Sequence, residues 1–258
     1  MFKEALISAT EAGAKVMQHY FNSKELKISN KEGINNLVTE ADHASEKAII
    51  ETVREFFPGH FILSEEAGEM IMDSEYKWII DPIDGTVNYA HGIPICCVSI
   101  GLEHMGKMIM GAVYNPFLKE FYFAEKGKGA MLNGTSIQVS NVSTVMNSCL
   151  VTGFPYTYLD VQNGPLECFD RFIRRGVPVR RLGSAAMDLC WVAAGRFDGF
   201  YEHKLQAWDS AAGFLIVEEA GGRVTDYNGE PYSLYQPHIL ATNAKIHDEL
   251  LLWINNKV

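Results

Sequence analysis

The 258-residue sequence predicts an α+β half packed on an α/β half within one continuous domain. Three observations carry this. Residues 95–103, 108–115 and 119–124 read as consecutive antiparallel strands, punctuated by Met105-Gly106 and Asn115-Pro116. From about residue 147 onward, strand and helix patterns alternate. No repeat or low-complexity linker separates the two, so halves of about 1–144 and 145–258 are expected to form a single unit, 1–258.

Phe2, Leu6, Ala9, Val16, Met17 and Tyr20 recur near helical spacing and predict an amphipathic helix over 2–22. Polar 23–36 reads as a loop that contains Lys31. A second helix is expected over 40–57: Thr39-x-x-Asp42 resembles a capping box, Ile49, Ile50, Val53 and Phe56 give the apolar face, and Pro58-Gly59 ends it. His60–Leu63 reads as a strand delivering Ser64-Glu65-Glu66, and Trp78–Ile80 as a buried strand that Pro82 stops. Lys126–Gly129 makes a turn. The second half reads as a strand near 147–152, a helix near 160–174, and an apolar helix opened by Gly183-Ser184 and running to Ala194. A strand at 198–201 ends at Glu202, and Trp208-Asp209 starts a helix that Gly221-Gly222 ends. Strands at 223–226 and 238–242 and a C-terminal helix close the chain.

Composition narrows the function. At 47% hydrophobic and 21% charged residues the chain is an ordinary globular protein with no apolar stretch long enough to span a membrane. Met1–Ala5 carries an early acid and is not read as a signal peptide, so a cytoplasmic location is expected. Five cysteines without a C-x-x-C pair read as free thiols, Cys96 and Cys97 among them as strand core. Twenty-two basic against 32 acidic residues leave a formal charge of −10, and no basic stripe points to nucleic acid. A phosphate would therefore need a local cation to bind.

Trp78–Asn88 supplies a place for one. Asp81 and Asp84 follow a strand too apolar to be surface, and open α/β sheets bind ligands at the carboxyl ends of their strands. Clustered carboxylates raise one another's pKa unless a cation sits between them, and Mg²⁺ wants oxygen ligands. Gly85-Thr86 can turn backbone N–H groups toward an anion. Taken alone, Asp42 and Asp209 read as helix caps and Glu65-Glu66 as a solvated loop.

Asp81-Pro82-Ile83-Asp84-Gly85-Thr86 with Asn88, followed by Trp208-Asp209-Ser210-Ala211-Ala212-Gly213, resembles the inositol monophosphatase family, Mg²⁺-dependent and lithium-sensitive sugar phosphatases. Leu37–Asp42, Ser64–Glu66, Gly183–Ala186 and Tyr201-Glu202 extend the likeness over the whole chain. The resemblance implies a layered αβαβα sandwich, a homodimer, and two to three Mg²⁺ per site. Glu65, Asp81 and the Ile83 carbonyl are then expected on a first ion, and Asp81, Asp84 and Asp209 on a second. Glu65 would share a third through waters. Thr86, supported by Asp42, is similar to the pair that orients the attacking water; the plainer reading of Thr86 is a helix-end hydroxyl, and both can hold. Catalytic roles thus fall to Glu65, Thr86 and Asp42. Gly85 and Thr86 would receive the phosphate. Gly183, Ser184, Ala185 and Glu202, with Asp84 and Asp209, would meet the hydroxyl-bearing ring, and Lys31 would reach in from its loop. On sequence alone Glu202 reads equally well as a surface acid.

Other residues invite weaker readings. His91 reads as a structural histidine, Trp208 as packing, and Phe154-Tyr156-Tyr158 as a lining of the pocket or a dimer contact. Ser64, Val87 and Tyr89 depart mildly from the family pattern, and His203-Lys204-Leu205-Gln206 is expected to add basic character and specificity on the substrate side. Asp84-Gly85-Thr86 alone would suggest a phosphatase with an aspartate nucleophile. Pro82 stands where that nucleophile belongs, so direct attack by water is expected instead. The expected activity is hydrolysis of inositol 1-phosphate or a similar polyol phosphate. Fructose-1,6-bisphosphatase and 3'(2'),5'-bisphosphate nucleotidase activities are the alternatives within the superfamily. A regulatory protein that binds RNA or transcription machinery is the alternative outside enzymes.

Overall fold

The computed structural model describes residues 1–21, 23, 27–30, 37–155 and 164–257. The chain opens with α1 (Phe2–Tyr20), β1 (Ile28–Asn30), β2 (Leu37–Thr39) and α2 (Glu40–Phe56). Next come β3 (Phe61–Ser64), β4 (Gly68–Met70), β5 (Tyr76–Asp84) and the one-turn α3 (Thr86–Ala90). A meander follows: β6 (Cys97–His104), β7 (Lys107–Asn115), β8 (Glu120–Glu125), β9 (Ala130–Leu132) and β10 (Thr135–Ser136). The second half holds β11 (Leu150–Thr152), α4 (Pro165–Arg174), β12 (Val179–Arg180), α5 (Ala185–Ala193), β13 (Gly199–His203), α6 (Ala207–Glu219), β14 (Arg223–Thr225), β15 (His238–Thr242) and α7 (His247–Ile254).

Five layers result, because each sheet is apolar on both faces. The first sheet has order β10-β9-β8-β7-β6-β5-β3-β4, and the second β12-β11-β13-β15-β14. Side chains alternate across a strand. In β5, Trp78 and Ile80 therefore pack with α1 and α2 through Leu6, Ile49 and Val53, while Ile79 faces the opposite way, toward Leu189 and Ile216. In β13, Phe200 joins that same central cluster, while Tyr201 turns to Phe172 and Trp253 of the outer layer. Helices α5 and α6 thus lie between the two sheets, which is why every residue of α5 is buried. This is the αβαβα sandwich the resemblance implied.

Three features depart from the sequence reading. Residues 28–30 pair antiparallel with 37–39, so the segment read as loop contains β1; Lys31 lies outside the described residues. The short strands β4, β9, β10 and β12 and the helix α3 carry too few residues to show a period. Pro82 does not stop β5. The β5–β6 register shifts between Asp81 and Asp84, with two residues facing one on β6. Within such a bulge a missing N–H is harmless, and the Pro82 carbonyl accepts a hydrogen bond from Ser45 Oγ at 3.0 Å.

At the far edge of the second sheet, buried His247 clamps α7 to β14 and β15. Thr225 Oγ1 donates to the Asp226 carbonyl at 2.7 Å, so it must accept from His247 Nε2, 2.9 Å away. His247 Nδ1 is then the acceptor for Thr242 Oγ1 at 2.8 Å. Burial lowers the His247 pKa from 6.5 to about 4. Because the unfolded chain binds this proton more readily, the stabilisation is complete above about pH 6.5 and is lost as pH falls toward 4. His247→Ala should cost about 2–4 kcal/mol at pH 7, because the buried Thr242 hydroxyl proton loses its acceptor and the ring leaves a cavity. In urea titrations the gap between wild type and variant should narrow at pH 5; a constant gap would contradict the assigned neutral ring.

Candidate active site

Topology gathers the acids. Strands β3 and β5 run parallel with Ser64 beside Ile80, so Glu65 and Asp81 leave neighbouring strand ends. The bulge in β5 then displaces Asp84 from Asp81, and the chain turns at Gly85. Its φ of 91° suits glycine, and a Cβ there would stand 2.9 Å from the Ile95 carbonyl oxygen and 3.2 Å from that of Gly183. Two halves of the chain therefore touch at this turn. Asn88 ties them further, its Nδ2 donating to the Ile95 and Leu182 carbonyls at 2.8 and 2.7 Å.

One pocket lies at that junction. Glu65, Asp81, Ile83, Asp84, Gly85, Thr86 and Val87 line it from the first half. Gly183, Ser184, Ala185, Glu202 and Asp209 line it from the second. Every described residue named from the sequence is on this list except Asp42, which lies directly behind Thr86.

The carboxylates are held in a common way. Asp42 Oδ2 caps α2, accepting from Thr39 N at 2.8 Å and Thr39 Oγ1 at 2.6 Å, while its Oδ1 is 3.1 Å from Thr86 Oγ1. Asp84 Oδ2 accepts from Ser184 Oγ at 2.6 Å and from Ala186 N at 2.7 Å, so it caps α5 from across the junction. Asp209 Oδ2 accepts from Gln206 N at 2.6 Å, and Asp81 Oδ1 from Ile83 N at 3.1 Å. The capping reading of Asp42 and Asp209 therefore holds: Asp42 Oδ2 and Asp209 Oδ2 each accept from the backbone N–H at the start of their helix, and Asp42 Oδ1 faces Thr86 as well.

Electrostatics set this cluster apart. Burial raises Asp81 and Asp209 well above the ordinary carboxylate range, and neighbouring carboxylates push in the same direction. Burial also raises Asp84 to about 6 against the hydrogen bonds from Ser184 and Ala186, and raises Asp42 to about 6. Among the described residues no three His, Cys, Asp or Glu side chains are already gathered into a cation cage. Repelling carboxylates anchored to separate elements stand apart when nothing draws them in. The donor set itself, oxygen only and mutually repelling, fits a hard divalent ion.

Some residues escaped the sequence reading. Glu46 Oε1 accepts from Ser64 Oγ, and from Glu66 N and Ala67 N at 3.0 Å each, so it fixes the turn that carries Glu65. Its spacing of four from Asp42 on α2 was the available signal. Asp188, one turn beyond Ser184, and exposed Arg181 also line the pocket and were not singled out, whereas Phe154, expected at the pocket or a dimer contact, and Leu205, in the segment expected on the substrate side, line it too.

Other expectations sort themselves plainly. His91 Nδ1 donates to the Val87 carbonyl at 2.8 Å and is structural. Trp208 packs against the central core. Tyr156 and Tyr158 lie outside the described residues. The five cysteines are free. Of the segment 203–206 expected on the substrate side, Leu205 lines the pocket and Lys204 is exposed. His203 is buried against Tyr227 and His238, and burial lowers its pKa to about 4.

Comparison with known proteins agrees with this arrangement. The sequence model described as the inositol monophosphatase family matches residues 1–257. An inositol-1-monophosphatase of Synechocystis sp. is 45% identical over 242 residues, 93% of this chain and 83% of the relative. A protein of Pasteurella multocida named Nus factor SuhB is 40% identical over 252 residues, 97% of this chain and 94% of the relative. The crystal structure of the extragenic suppressor protein suhB from Bartonella henselae, 37% identical, superposes with a TM-score of 0.93, covering 100% of this chain and 99% of that one.

Proposed function

Because the chain belongs to the inositol monophosphatase family, we propose that it is a Mg²⁺-dependent phosphomonoesterase acting on inositol 1-phosphate or a similar polyol phosphate. The observation that best supports this reading is the meeting of Glu65, Asp81, Asp84 and Asp209 on one pocket with Thr86, itself bonded to Asp42. Glu65, Asp81 and the Ile83 carbonyl would hold one ion, Asp81, Asp84 and Asp209 a second, and Glu65 would share a third through water. The Ile83 carbonyl lies 3.0 Å from Thr86 Oγ1, and when that hydroxyl donates to Asp42 instead the carbonyl oxygen is open to the cation. When bound, Mg²⁺ supplies charge neutralisation of the phosphate, activation of water and stabilisation of the leaving oxygen.

The chain's own groups do the rest. Backbone N–H groups of Gly85 and Thr86 seat the phosphate. Thr86 Oγ1 takes a hydrogen bond from the attacking water while donating to Asp42, which fixes the water's orientation. Gly183, Ser184, Ala185 and Glu202 meet the polyol, because a carboxylate accepts hydroxyl protons well. Lys31 is proposed to reach the site from its own segment. No covalent intermediate is required, since a water is the nucleophile.

Phosphate release measured on inositol 1-phosphate, fructose 1,6-bisphosphate and 3'-phosphoadenosine 5'-phosphate tests this reading. EDTA should reduce the rate at least about 100-fold and Mg²⁺ restore it, with Li⁺ inhibiting. Inositol 1-phosphate should be the preferred substrate. Turnover that ignores EDTA would overturn the metal assignment.

One finding favours a second reading beside the first. A relative matching nearly the whole chain carries the name Nus factor SuhB, so binding to transcription machinery widens the expectation of a purely small-molecule partner. Copurification with transcription complexes would detect it. An Asp84→Asn chain that still copurifies would show that binding does not need catalysis. A cytoplasmic homodimer belongs to both readings.

A further inference from the structure

Asp188 has no role in the scheme above, although it lines the same pocket. It sits on α5, one turn past Ser184, and is 1% exposed. Its Oδ1 is buried with no hydrogen-bond partner among the described residues. A buried acceptor left unmade costs free energy that packing alone could have avoided. The group is therefore waiting for a donor that the described chain does not provide.

The surroundings limit what that donor can be. Glu202, 8% exposed, lines the same pocket. Burial, with Glu202 and Asp84 nearby, holds Asp188 well above the ordinary carboxylate range, and burial raises Glu202 to about 8, in both cases against the opposing pull of Arg181. A buried acid whose charged form is disfavoured in this way suits a neutral donor rather than a second cation. Hydroxyl groups meet that need: they donate without bringing charge. Phe154 and Leu205 line the pocket as well, and their apolar surfaces suit the C–H face of a polyol ring. The phosphate seat at Gly85-Thr86 belongs to the other half of the chain, so a substrate spanning the pocket would present its ring to α5 and β13.

We propose that Asp188 is a specificity-determining residue that accepts a hydroxyl of the substrate's polyol, next to the hydroxyl taken by Glu202, and so selects phosphates carried on vicinal diols. The proposal rests on the phosphatase reading and names the carrier that reading left broad.

Steady-state kinetics on two monoesters tests it: inositol 1-phosphate, rich in hydroxyls, and phenyl phosphate, which has none. Asp188→Leu, similar in volume but without an acceptor, should raise KM for inositol 1-phosphate about 10- to 100-fold. Its kcat, and both constants for phenyl phosphate, should stay within about twofold. Asp188→Asn keeps a neutral acceptor and should recover part of the loss. The melting temperature of Asp188→Leu should hold or rise, because an unpaired buried carboxyl is removed. If the leucine variant does not fold, the asparagine variant alone should still weaken inositol 1-phosphate selectively. Equal losses on both substrates, or none on either, would overturn the assignment. Wild-type chain inert toward both esters would overturn the phosphatase reading itself and this proposal with it.

Discussion

Asp84→Asn lowers kcat/KM on inositol 1-phosphate by about a thousandfold, roughly 4 kcal/mol of transition-state stabilisation, while the fold survives. The size follows from the double use of this side chain. One oxygen, Oδ2, caps α5 through Ala186 N and Ser184 Oγ. An asparagine can place its carbonyl oxygen there and keep both contacts. What it places toward the pocket is then an NH₂, which repels a cation where a carboxylate oxygen would bind it. Stability should hardly fall, because a carboxyl that burial and neighbouring acids disfavour is replaced by a neutral group. Rate and melting temperature measured together decide the matter. A variant that keeps wild-type turnover, or one that loses activity only because it melts below the assay temperature, would remove Asp84 from the site.

The contrast between Asp84 and Glu46 shows which parts of the site were legible in the sequence. Asp81 and Asp84 stood out because they follow an apolar strand, and a carboxylate there has no solvent to justify it. Asp42 and Asp209 were ambiguous, since helix caps use the same residue at the same place. The two readings do not compete, because a carboxylate has two oxygens: Asp42 Oδ2 caps α2, and Oδ1 reaches Thr86. Glu46 and Asp188 were silent for a different reason. Both sit inside helices whose pattern reads only as a face. Their importance depends on what packs opposite, the Ser64–Ala67 turn for one and the pocket for the other. Such partners are far away along the chain.

The layers follow the same logic. Long strands with apolar residues in both phases, such as Tyr76–Asp84 and Gly199–His203, announce burial on two faces, and two such sheets require a helical layer between them. What no period could show was the path of the backbone at Pro82. Proline ends a ladder when its missing N–H matters. In a bulge it does not matter, and the extra residue there separates Asp81 from Asp84. The feature that broke a simple rule is the one that shapes the site. Local rules fail most often where function has bent the chain.

Thr86→Ala should separate chemistry from metal binding. The Thr86 hydroxyl has one proton and two acceptors in reach, the Ile83 carbonyl at 3.0 Å and Asp42 Oδ1 at 3.1 Å. If it only closes the turn at the start of α3, its removal costs stability of about 1 kcal/mol and leaves kcat alone. If it passes the orientation of Asp42 to the attacking water, kcat falls about 100-fold, at the low end for a positioned proton acceptor. The Mg²⁺ concentration for half-maximal rate should then change little, because no carboxylate has been lost. Thr86→Ser should restore most of the rate, since the hydroxyl returns without the methyl. Asp42→Asn should reproduce the alanine phenotype, and the double variant should be hardly slower than either single, because both act on one water. Additive losses in that cycle would mean that Thr86 and Asp42 work apart, and the shared hydrogen bond would then be a feature of the α2 cap alone.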